Sequence, residues 1–300
     1  MNEMCFGPVR FIPGENRGRY PFCHSVYIEG AGIVIDPASN RERLARIFES
    51  ECVNMVWLSH WHEDHFTYLD LFNDVPLLIS AEDAPPLSDL SVLLDWYGIG
   101  NDRERGYWIS VLQDYFHFKP RSPSRFLKGG DVIDLGSVTV EVIPSPGHTP
   151  GHLAFFFREP GVVFMGDYDL TSFGPWYGDR YSSIEETIST LRRLKNIPAE
   201  IWLTGHDTGI FKSPSVELWD RYEGVIYERE KKLLETLKVP RTMEEITGLW
   251  IMYGRPREPL AFYEFGERAL VKKHLEFLMK RGLVYQEKKK HFPEDKYILS

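Results

Sequence analysis

The sequence of 300 residues predicts a layered α+β protein with helices outside its β-sheets, followed by a smaller unit of different character. Short apolar runs alternate with helical patterns over most of the chain, as they do in layered proteins. Between residues 131 and 165, four such runs are separated by Gly and Pro, which indicates a β meander. After about residue 215 the pattern is mainly helical. We therefore expect two domains, residues 1–218 and 219–300.

Strands and helices alternate along the first part of the chain. The segment Gly30–Gly32 joins two apolar runs and reads as the turn of a hairpin. Pro37–Asn40 precedes a helical pattern and indicates its amino-terminal cap. Ser183 stands three residues before Glu186 in a capping-box relation, which predicts another helix start. The predicted strands are Ser25–Glu29, Gly32–Asp36, Met55–Leu58, Pro76–Ser80, Asp131–Leu135, Val138–Pro144, His152–Arg158, Gly161–Met165 and Ala199–Leu203.

Two later sections have a character of their own. Residues 85–128 are rich in aromatic side chains and mostly helical in pattern, so we interpret them as an insertion that forms either a lid or a satellite hydrophobic cluster. Residues 219–300 show three helical patterns and then two short strands, an order that predicts a winged-helix-like α/β domain. The helical patterns are Tyr222–Leu237, a segment opened by the capping box Thr242–Glu245, and Gly266–Arg281; the strands are Leu283–Glu287 and Lys296–Leu299.

Composition limits the partners of the chain. The net charge is −9, and Glu51–Gly100 contains neither lysine nor arginine, so this region repels long polyanions. The run Lys288–Lys290 could lie along a phosphate backbone, but a solvated turn is the commoner role, and nucleic-acid binding is not expected. We expect the carboxy-terminal domain to pack on the rest of the protein, shape access to its site or mediate homodimerisation.

The sequence also indicates the cellular compartment of the protein. The sequence shows neither a signal peptide nor an apolar stretch long enough to span a bilayer, so we expect a soluble cytoplasmic protein that acts on a small molecule. Its three cysteines lack CxxC spacing and are interpreted as buried thiols in a reducing compartment.

The most informative segment is Ser59–Phe66, which follows a predicted buried strand. It contains the pattern HxHxDH, formed by His60, His62, Asp64 and His65. A loop can turn all four side chains toward one point, whereas a helix of this length could not. Imidazole and carboxylate together suit zinc, iron or manganese better than calcium. The segment therefore predicts a metal site.

Three more candidate ligands stand at the ends of apolar strands. They are His148 in Pro-Gly-His, Asp167 in Gly-Asp and His206 in Gly-His. Together with His152, these segments and the first motif hold six of the ten histidines, a concentration that a scattered distribution would rarely produce. The glycines let the backbone bend tightly behind a crowded metal centre.

The ordered set HxHxDH, Pro-Gly-His-Thr-Pro-Gly-His, Gly-Asp and Gly-His resembles the metallo-β-lactamase superfamily, in its glyoxalase II-like and ribonuclease Z-like branch. The resemblance covers roughly residues 20–210 and implies a four-layer αβ/βα sandwich with metals at one edge of two sheets. It implies that Asp36 supports the His loop and that His152 stands behind the ligands. The implied ligands are His60, His62 and His148 for a first metal, Asp64, His65 and His206 for a second, and Asp167 as the bridge.

This resemblance implies a hydrolase with two metal ions, most simply two Zn²⁺, with Fe or Mn as alternatives. A hydroxide bridging the metals would attack an ester, thioester or related small acyl substrate. We expect Asp64 to orient that water or carry its proton, and we assign a catalytic part to His152 as well. True β-lactamases of this fold lack the bridging aspartate, and flavodiiron proteins have Glu where His62 stands. The side chains expected to contact substrate are Trp61, Tyr68, Trp176 and Tyr177.

Other functions stay open at this point. A phosphodiesterase or ribonuclease of the ribonuclease Z kind uses the same ligands, but it needs a basic track that residues 51–100 do not supply. A mono-iron persulfide dioxygenase has a closely similar motif set. Outside enzymes, the chain could be a winged-helix regulator whose metal-binding part senses a ligand.

Overall fold

The computed structural model describes residues 2–287 and 295–300, so the run Lys288–Lys290 lies outside the described residues. Within the described part, two large sheets face each other. The first has the strand order β1 (Met4–Phe6), β2 (Val9–Ile12), β3 (Ser25–Ile28), β4 (Ile33–Ile35), β5 (Met55–Trp57), β6 (Leu77–Ser80) and β7 (Arg125–Leu127). The second has the order β13 (Ile210–Lys212), β12 (Ile201–Leu203), β11 (Val162–Phe164), β10 (Leu153–Phe157), β9 (Thr139–Pro144) and β8 (Val132–Asp134).

Parallel pairs in both sheets bring chemically active segments to one edge. Strands β4, β5, β6 and β7 pair in parallel, so the segments after β4 and β5 leave the first sheet at the same edge. Strands β11 and β12 are parallel in the second sheet, with Phe164 level with Leu203. The residues that follow these two strands, Asp167 and His206, therefore also leave their sheet side by side.

Three hydrophobic clusters define four layers. Phe11, Trp57 and Phe155 belong to a cluster of buried side chains that fills the space between the sheets. A second cluster lies on the outer face of the first sheet, where Leu44 and Leu93 belong to helices. A third covers the outer face of the second sheet. The predicted four-layer αβ/βα sandwich is confirmed, and the helices are α1 (Arg41–Ser50), α2 (Pro85–Ser88), α3 (Leu90–Tyr97), α4 (Asp102–Ser110), α5 (Ile184–Leu194), α6 (Val216–Thr236), α7 (Met243–Thr247) and α8 (Leu260–Lys280).

Side-chain caps start the predicted helices where the sequence indicates. The Asn40 side chain accepts a hydrogen bond of 2.9 Å from the backbone N–H of Arg43. Ser183 Oγ accepts one of 3.2 Å from the N–H of Glu186. Thr242 and Glu245 form the full reciprocal capping box. Such caps satisfy amide groups that have no partner within the helix itself.

The aromatic section 85–128 contains α2, α3, α4 and a π-helical turn, Val111–Tyr115, as its helical pattern predicts. Its end differs from the prediction, because β7 joins the first sheet beside β6. Strands β1, β2 and β13 were also not predicted from the sequence. All of these are three or four residues long, too short for a periodic pattern to be recognised.

The carboxy-terminal elements follow the predicted order of three helices and a hairpin. Helices α6 and α8 begin six residues earlier than the sequence pattern suggests, at Val216 and Leu260, and β14 (Val284–Glu287) pairs with β15 (Lys296–Leu299). Tyr177 and Ile184 share one hydrophobic cluster with Leu270. This core crosses the expected boundary between residues 218 and 219, so the division into two domains and the winged-helix assignment stay predictions.

The sequence also predicted buried cysteines and no membrane-spanning segment. Cys23 is buried, but Cys5 and Cys52 are exposed, so the interpretation of all three as buried thiols was wrong. Cys5 lies in the edge strand β1, and Cys52 lies in the loop between α1 and β5. Among the helices of the described chain, not one is both long and apolar enough to cross a membrane.

His274, in the carboxy-terminal core, makes stability depend on pH. The Tyr177 hydroxyl donates a hydrogen bond of 2.9 Å to His274 Nε2. Burial and the nearby Arg229 guanidinium lower the pKa of His274 from 6.5 to about 3. The unfolded chain therefore takes up this proton first as the pH falls. The stability contributed by neutral His274 is present above pH 6.5 and is lost between there and pH 3.

We expect His274→Gln to reduce this acid sensitivity, because a glutamine oxygen can accept the same hydrogen bond and does not titrate. Between neutral pH and pH 5, the wild type should lose roughly 2 kcal/mol more unfolding free energy than the variant. Urea unfolding of both proteins at several pH values measures this difference. Parallel pH curves for the two proteins would contradict the assignment.

Candidate metal centre

The seven predicted metal ligands meet at one edge of the sandwich. His60, His62, Asp64 and His65 lie on the loop after β5 in the first sheet. The other three, His148, Asp167 and His206, follow β9, β11 and β12 in the second sheet. Both sheets therefore contribute to the site, and their side chains form two groups with ligand atoms within 4.8 Å of one another.

The first group consists of His60, His62, His148 and Asp167. His148 Nε2 lies 3.1 Å from His60 Nε2 and 2.9 Å from His62 Nδ1, and the last two atoms are 3.0 Å apart. Asp167 Oδ2 is 3.3 Å from His148 Nε2 and 3.9 Å from His60 Nε2. Three ring nitrogens and a carboxylate oxygen thus face one small space.

The second group consists of Asp64, His65 and His206. Asp64 Oδ2 lies 3.4 Å from His206 Nε2. Asp167 also reaches this group, because its Oδ1 is 2.7 Å from His65 Nε2 and 3.2 Å from His206 Nε2. The two oxygens of Asp167 therefore face different groups, and this carboxylate stands between them.

Hydrogen bonds on the far side of each ring indicate which nitrogen carries the proton. His206 Nδ1 faces the carbonyl oxygen of Phe22 at 3.0 Å, and His148 Nδ1 faces that of Trp176 at 3.1 Å. A carbonyl only accepts, so both Nδ1 atoms donate, and in the neutral imidazole both Nε2 atoms keep a lone pair. The remaining rings are held by Ser59 Oγ at His60 Nδ1, by Asp179 at His62 Nε2 and by Asp36 at His65 Nδ1.

In its neutral form, each of the five histidines thus directs a bare nitrogen into the site. Nitrogens 2.9–3.1 Å apart cannot all be hydrogen-bonded to one another when each lacks a proton. His65 Nε2 and Asp167 Oδ1 are buried and have no hydrogen-bond donor among the described residues. A cation satisfies all these lone pairs, so the side chains fit metal ions of the kind that imidazole and carboxylate bind. Burial lowers the pKa of His60 well below its usual value, which favours the neutral form that binds metal. Against the effect of burial, the carboxylates of Asp179 and Asp167 raise the pKa of His62 to about 9 and that of His206 to about 10, so a metal ion must displace a proton from these two rings.

Asp36 and Asp179 hold the His loop in place. Asp36 accepts hydrogen bonds from Ser59 N at 2.8 Å and Ser59 Oγ at 2.7 Å, besides its contact with His65. Asp179 Oδ2 is 2.7 Å from His62 Nε2. The role of Asp36 was expected, but Asp179 was missed, since it lies 117 residues from His62 in the chain. The only sequence signal was its place after Gly178, another Gly-Asp pair.

We expect Asp179→Ala to weaken metal binding at the first group by about 10- to 100-fold, because His62 would lose the partner that fixes its proton and orientation. Asp179→Asn should fall between this variant and the wild type, since an amide oxygen can still accept from Nε2. Titration with a competing zinc chelator measures both affinities. Unchanged affinity in the alanine variant would show that His62 needs no such support.

His152 lies behind the ligands rather than in an open space. Its Nε2 accepts a hydrogen bond of 3.3 Å from the backbone N–H of Asp167, and its ring centroid is 5.0 Å from that of His60. It is 1% exposed and does not line the cleft, so its location fits support of Asp167 better than a catalytic part. Gly166 is required here, because it has φ +53° and a Cβ would lie 2.6 Å from His152 Nε2.

A cleft of about 1120 Å³ opens onto the metal-facing side chains. Of the four predicted substrate contacts, Trp176 lines it, and Trp61, Tyr68 and Tyr177 do not. Trp61 is fully buried, and its ring packs against that of Tyr97 with centroids 4.7 Å apart. Tyr177 is fully buried against α6 and α8, where it contacts Arg229 and His274. The expectation that these three residues contact the substrate is wrong, because their rings pack in the core instead of lining the cleft.

The cleft also carries basic side chains that the sequence did not bring together. Arg19, Arg229, Lys232 and Arg257 all line it, although Arg19 is paired with Asp207 at 2.6 Å. The absence of lysine and arginine from residues 51–100 is therefore not an absence of basic groups near the site. Arg19 lies more than 30 residues before that range, and Arg229, Lys232 and Arg257 lie far after it in the chain.

Comparisons with known proteins agree with this geometry. The family model described as the metallo-β-lactamase superfamily matches residues 18–206. A probable metallo-hydrolase of Streptococcus pyogenes serotype M6, M6_Spy0554, is 30% identical over 162 residues, covering 53% of this chain and 63% of that protein. The acyl-coenzyme A thioesterase MBLAC2 of Gallus gallus is 33% identical over 147 residues, covering 46% and 50%. A hydroxyacylglutathione hydrolase of Hyphomonas neptunium is 38% identical over 80 residues, covering 26% and 30%.

The chain thus spans less than two thirds of the length of these curated relatives. Among solved structures, the metallo-β-lactamase family protein TTHA1429 of Thermus thermophilus superposes with a TM-score of 0.69 at 20% identity, covering 98% of this chain and 99% of that one. At such identity the likeness concerns the fold. The chain belongs to the metallo-β-lactamase superfamily and carries a His/Asp cluster that could hold metal ions.

Proposed function

We propose that this protein hydrolyses acyl compounds, thioesters foremost, with two metal ions bound to the two ligand groups. The observation that carries the proposal is Asp167, whose Oδ1 lies 2.7 Å from His65 Nε2 while its Oδ2 lies 3.3 Å from His148 Nε2. A carboxylate between two sets of bare nitrogens suits a pair of cations. We propose zinc as the metal, with iron or manganese as the alternatives.

Two metal ions bound there would supply a water of lowered pKa and a Lewis acid for the substrate carbonyl. The residues of the chain do the rest. His60, His62 and His148 fix one side of the site, and His65 and His206 fix the other. Asp64 lines the cleft next to His206, where it can orient an incoming water and accept its proton. Asp167 contacts members of both ligand groups and fixes their relative position.

The choice of an acyl substrate is supported by two relatives that are named for such compounds. One is named for hydroxyacylglutathione and the other for acyl-coenzyme A, and both substrates join an acyl group to a thiol carrier. The cleft has a volume of about 1120 Å³ and is lined by both aromatic and charged side chains, so it suits a molecule with two parts of different chemistry.

A phosphodiesterase is the second candidate, because Lys232 and Arg257 line the cleft and carry no ion pair to a carboxylate among the described residues. These cations could contact a phosphate. The acidic side chains Asp64, Asp169 and Glu228 line the same cleft and oppose the binding of a polyanion.

The experiment is metal analysis of the purified protein, joined to assays on a thioester, a lactone, a phosphodiester and an RNA. We expect close to two zinc ions for each chain and turnover of the thioester that a chelator abolishes and zinc restores. One iron for each chain together with oxygen consumption would overturn the hydrolytic mechanism in favour of a dioxygenase. RNA cleavage that falls steeply with salt would select the second candidate.

A further inference from the structure

Five aromatic side chains form one wall of the cleft, which we call the aromatic wall. They come from three distant parts of the chain: the loop before β3, the section 85–128 and the start of α8. The rings of Tyr20 and Phe262 stack with centroids 4.9 Å apart, and the centroids of the other neighbouring pairs lie 5.7–6.3 Å apart. The members of the aromatic wall are Tyr20, Tyr97, Trp108, Phe262 and Phe265.

The aromatic wall begins at the metal centre itself. The Tyr97 ring stacks on that of His62 with an interplanar angle of 13° and a centroid distance of 5.7 Å. The hydroxyl groups of Tyr97 and Tyr20 both donate to the Glu63 carboxylate, the second of them at 2.8 Å. Because both hydroxyls are already bound, the wall presents ring surface to a ligand rather than free polar groups.

Other parts of the cleft have the opposite character. Lys232 on α6 and Arg257 before α8 are exposed and line it, as do Asp169 and Asp207 on the loops after β11 and β12. A bound molecule would therefore meet apolar rings in one part of the cleft and charged groups elsewhere in it. A thioester has this division, with an acyl group on one side of the carbonyl and a polar carrier on the other.

Resting on the proposed function, we propose that the aromatic wall is the acyl subsite and that the preferred substrates are thioesters of flat aromatic acyl groups. A carbonyl at the metal-facing nitrogens has the Tyr97 ring as its neighbour, because Tyr97 stacks on His62. Aromatic rings pack best in offset or edge-to-face arrangements with centroids about 4.5–7 Å apart, and the wall offers both kinds of surface. The polar carrier then extends toward the charged side.

The test uses a series of thioesters on one small carrier, N-acetylcysteamine, with acetyl, hexanoyl, benzoyl and 2-naphthoyl groups. For the zinc-loaded wild type we expect kcat/KM to be at least about tenfold higher for the naphthoyl than for the hexanoyl thioester. Phe262→Leu keeps an apolar side chain but removes its flat face, and should lower this ratio by roughly three- to tenfold. Phe262 is only partly buried, so the substitution is compatible with folding.

Phe126→Leu is the matched control. Phe126 lies on β7, is 51% exposed and does not line the cleft, so the ratio should not change. Calorimetric titration with 2-naphthoate and hexanoate provides a second readout that needs no turnover. The naphthoate should bind more tightly to the wild type, and Phe262→Leu should remove most of the difference.

The outcomes separate this proposal from the one on which it rests. Thioester hydrolysis without preference among acyl groups, or a ratio that Phe262→Leu leaves unchanged, overturns the acyl subsite and leaves the thioesterase intact. Naphthoate binding that depends on Phe262, in a protein that hydrolyses no thioester, supports an aromatic subsite and overturns the proposed reaction. Equal binding of naphthoate and hexanoate overturns the subsite whatever the reaction.

Discussion

Asp167→Ala is expected to lower hydrolysis by at least about a thousandfold, because a bound metal ion lowers the pKa of water from about 16 to about 7 and this carboxylate would help to hold both ions. Asp167 contacts members of both ligand groups, with distances of 2.7 Å to His65, 3.2 Å to His206 and 3.3 Å to His148. No other described side chain stands in that position. Its removal should therefore reduce metal content as well as turnover.

The measurement combines steady-state hydrolysis of a thioester with metal analysis after dialysis against a weak chelator. We expect the variant to retain fewer metal ions than the wild type and to recover little activity when zinc is added in excess. Asp114→Ala, which changes an exposed aspartate outside the cleft, is the control and should match the wild type. An Asp167→Ala variant that keeps two bound metal ions and near-normal turnover would contradict the assignment of Asp167 as a bridging carboxylate.

Arg229→Met is expected to destabilise the protein by about 3 kcal/mol or more, because buried acceptors that lose their donor each cost about 1–3 kcal/mol. Arg229 is 2% exposed on α6. Its guanidinium donates to the carbonyl oxygens of Phe173 at 2.7 Å and Pro175 at 3.1 Å, and to the Tyr177 hydroxyl at 3.1 Å. It also lies over the Phe173 ring, 4.5 Å from the centroid.

The same change should reach the metal centre through one segment of backbone. Trp176 lies between Pro175 and Tyr177, whose carbonyl and hydroxyl oxygens accept hydrogen bonds from Arg229. The Trp176 carbonyl itself accepts from His148 Nδ1. Its indole N–H faces Asp179, the partner of His62, at 3.3 Å. We therefore expect zinc affinity to fall along with stability, by about tenfold or more.

Urea unfolding of the chelated protein isolates the stability effect, and zinc titration then gives the affinity. Lys231→Met is the matched control, since Lys231 is exposed on the same helix and should change stability by no more than about 0.5 kcal/mol. Loss of stability with full zinc affinity would show that the segment 173–177 does not support the ligands.

The ligand set was predictable because each ligand is a neighbour in sequence of the strand that positions it. An apolar run followed by His60, His148, Asp167 or His206 identifies both the strand and its end. The apolar strand patterns predicted a layered αβ protein, and the resemblance to the metallo-β-lactamase superfamily implied the four-layer sandwich. Asp179 lacked this signal, because its contact with His62 depends on how the loop between β11 and α5 folds back over the first sheet.

The cleft walls were harder to predict for a related reason. Composition shows that residues 85–128 and the metal loop are rich in aromatic rings, but it cannot say which rings face the site. Trp61 is inside the metal motif and is nevertheless buried in the core, whereas Tyr97 and Trp108 line the cleft. Lys232 and Arg257 reach it only because α6 and the segment before α8 fold against the first part of the chain.

The origin of the ligands in both sheets links metal occupancy to the folding equilibrium. Each group combines side chains that follow β5 with side chains that follow strands of the second sheet, and separating the sheets would dismantle both groups at once. Any ion that binds only the assembled edge raises the free energy of unfolding by RT ln(1 + [L]/Kd). The midpoint of thermal unfolding is then a function of free metal concentration, and the supply of that metal sets how much of the chain is folded as well as how much is active.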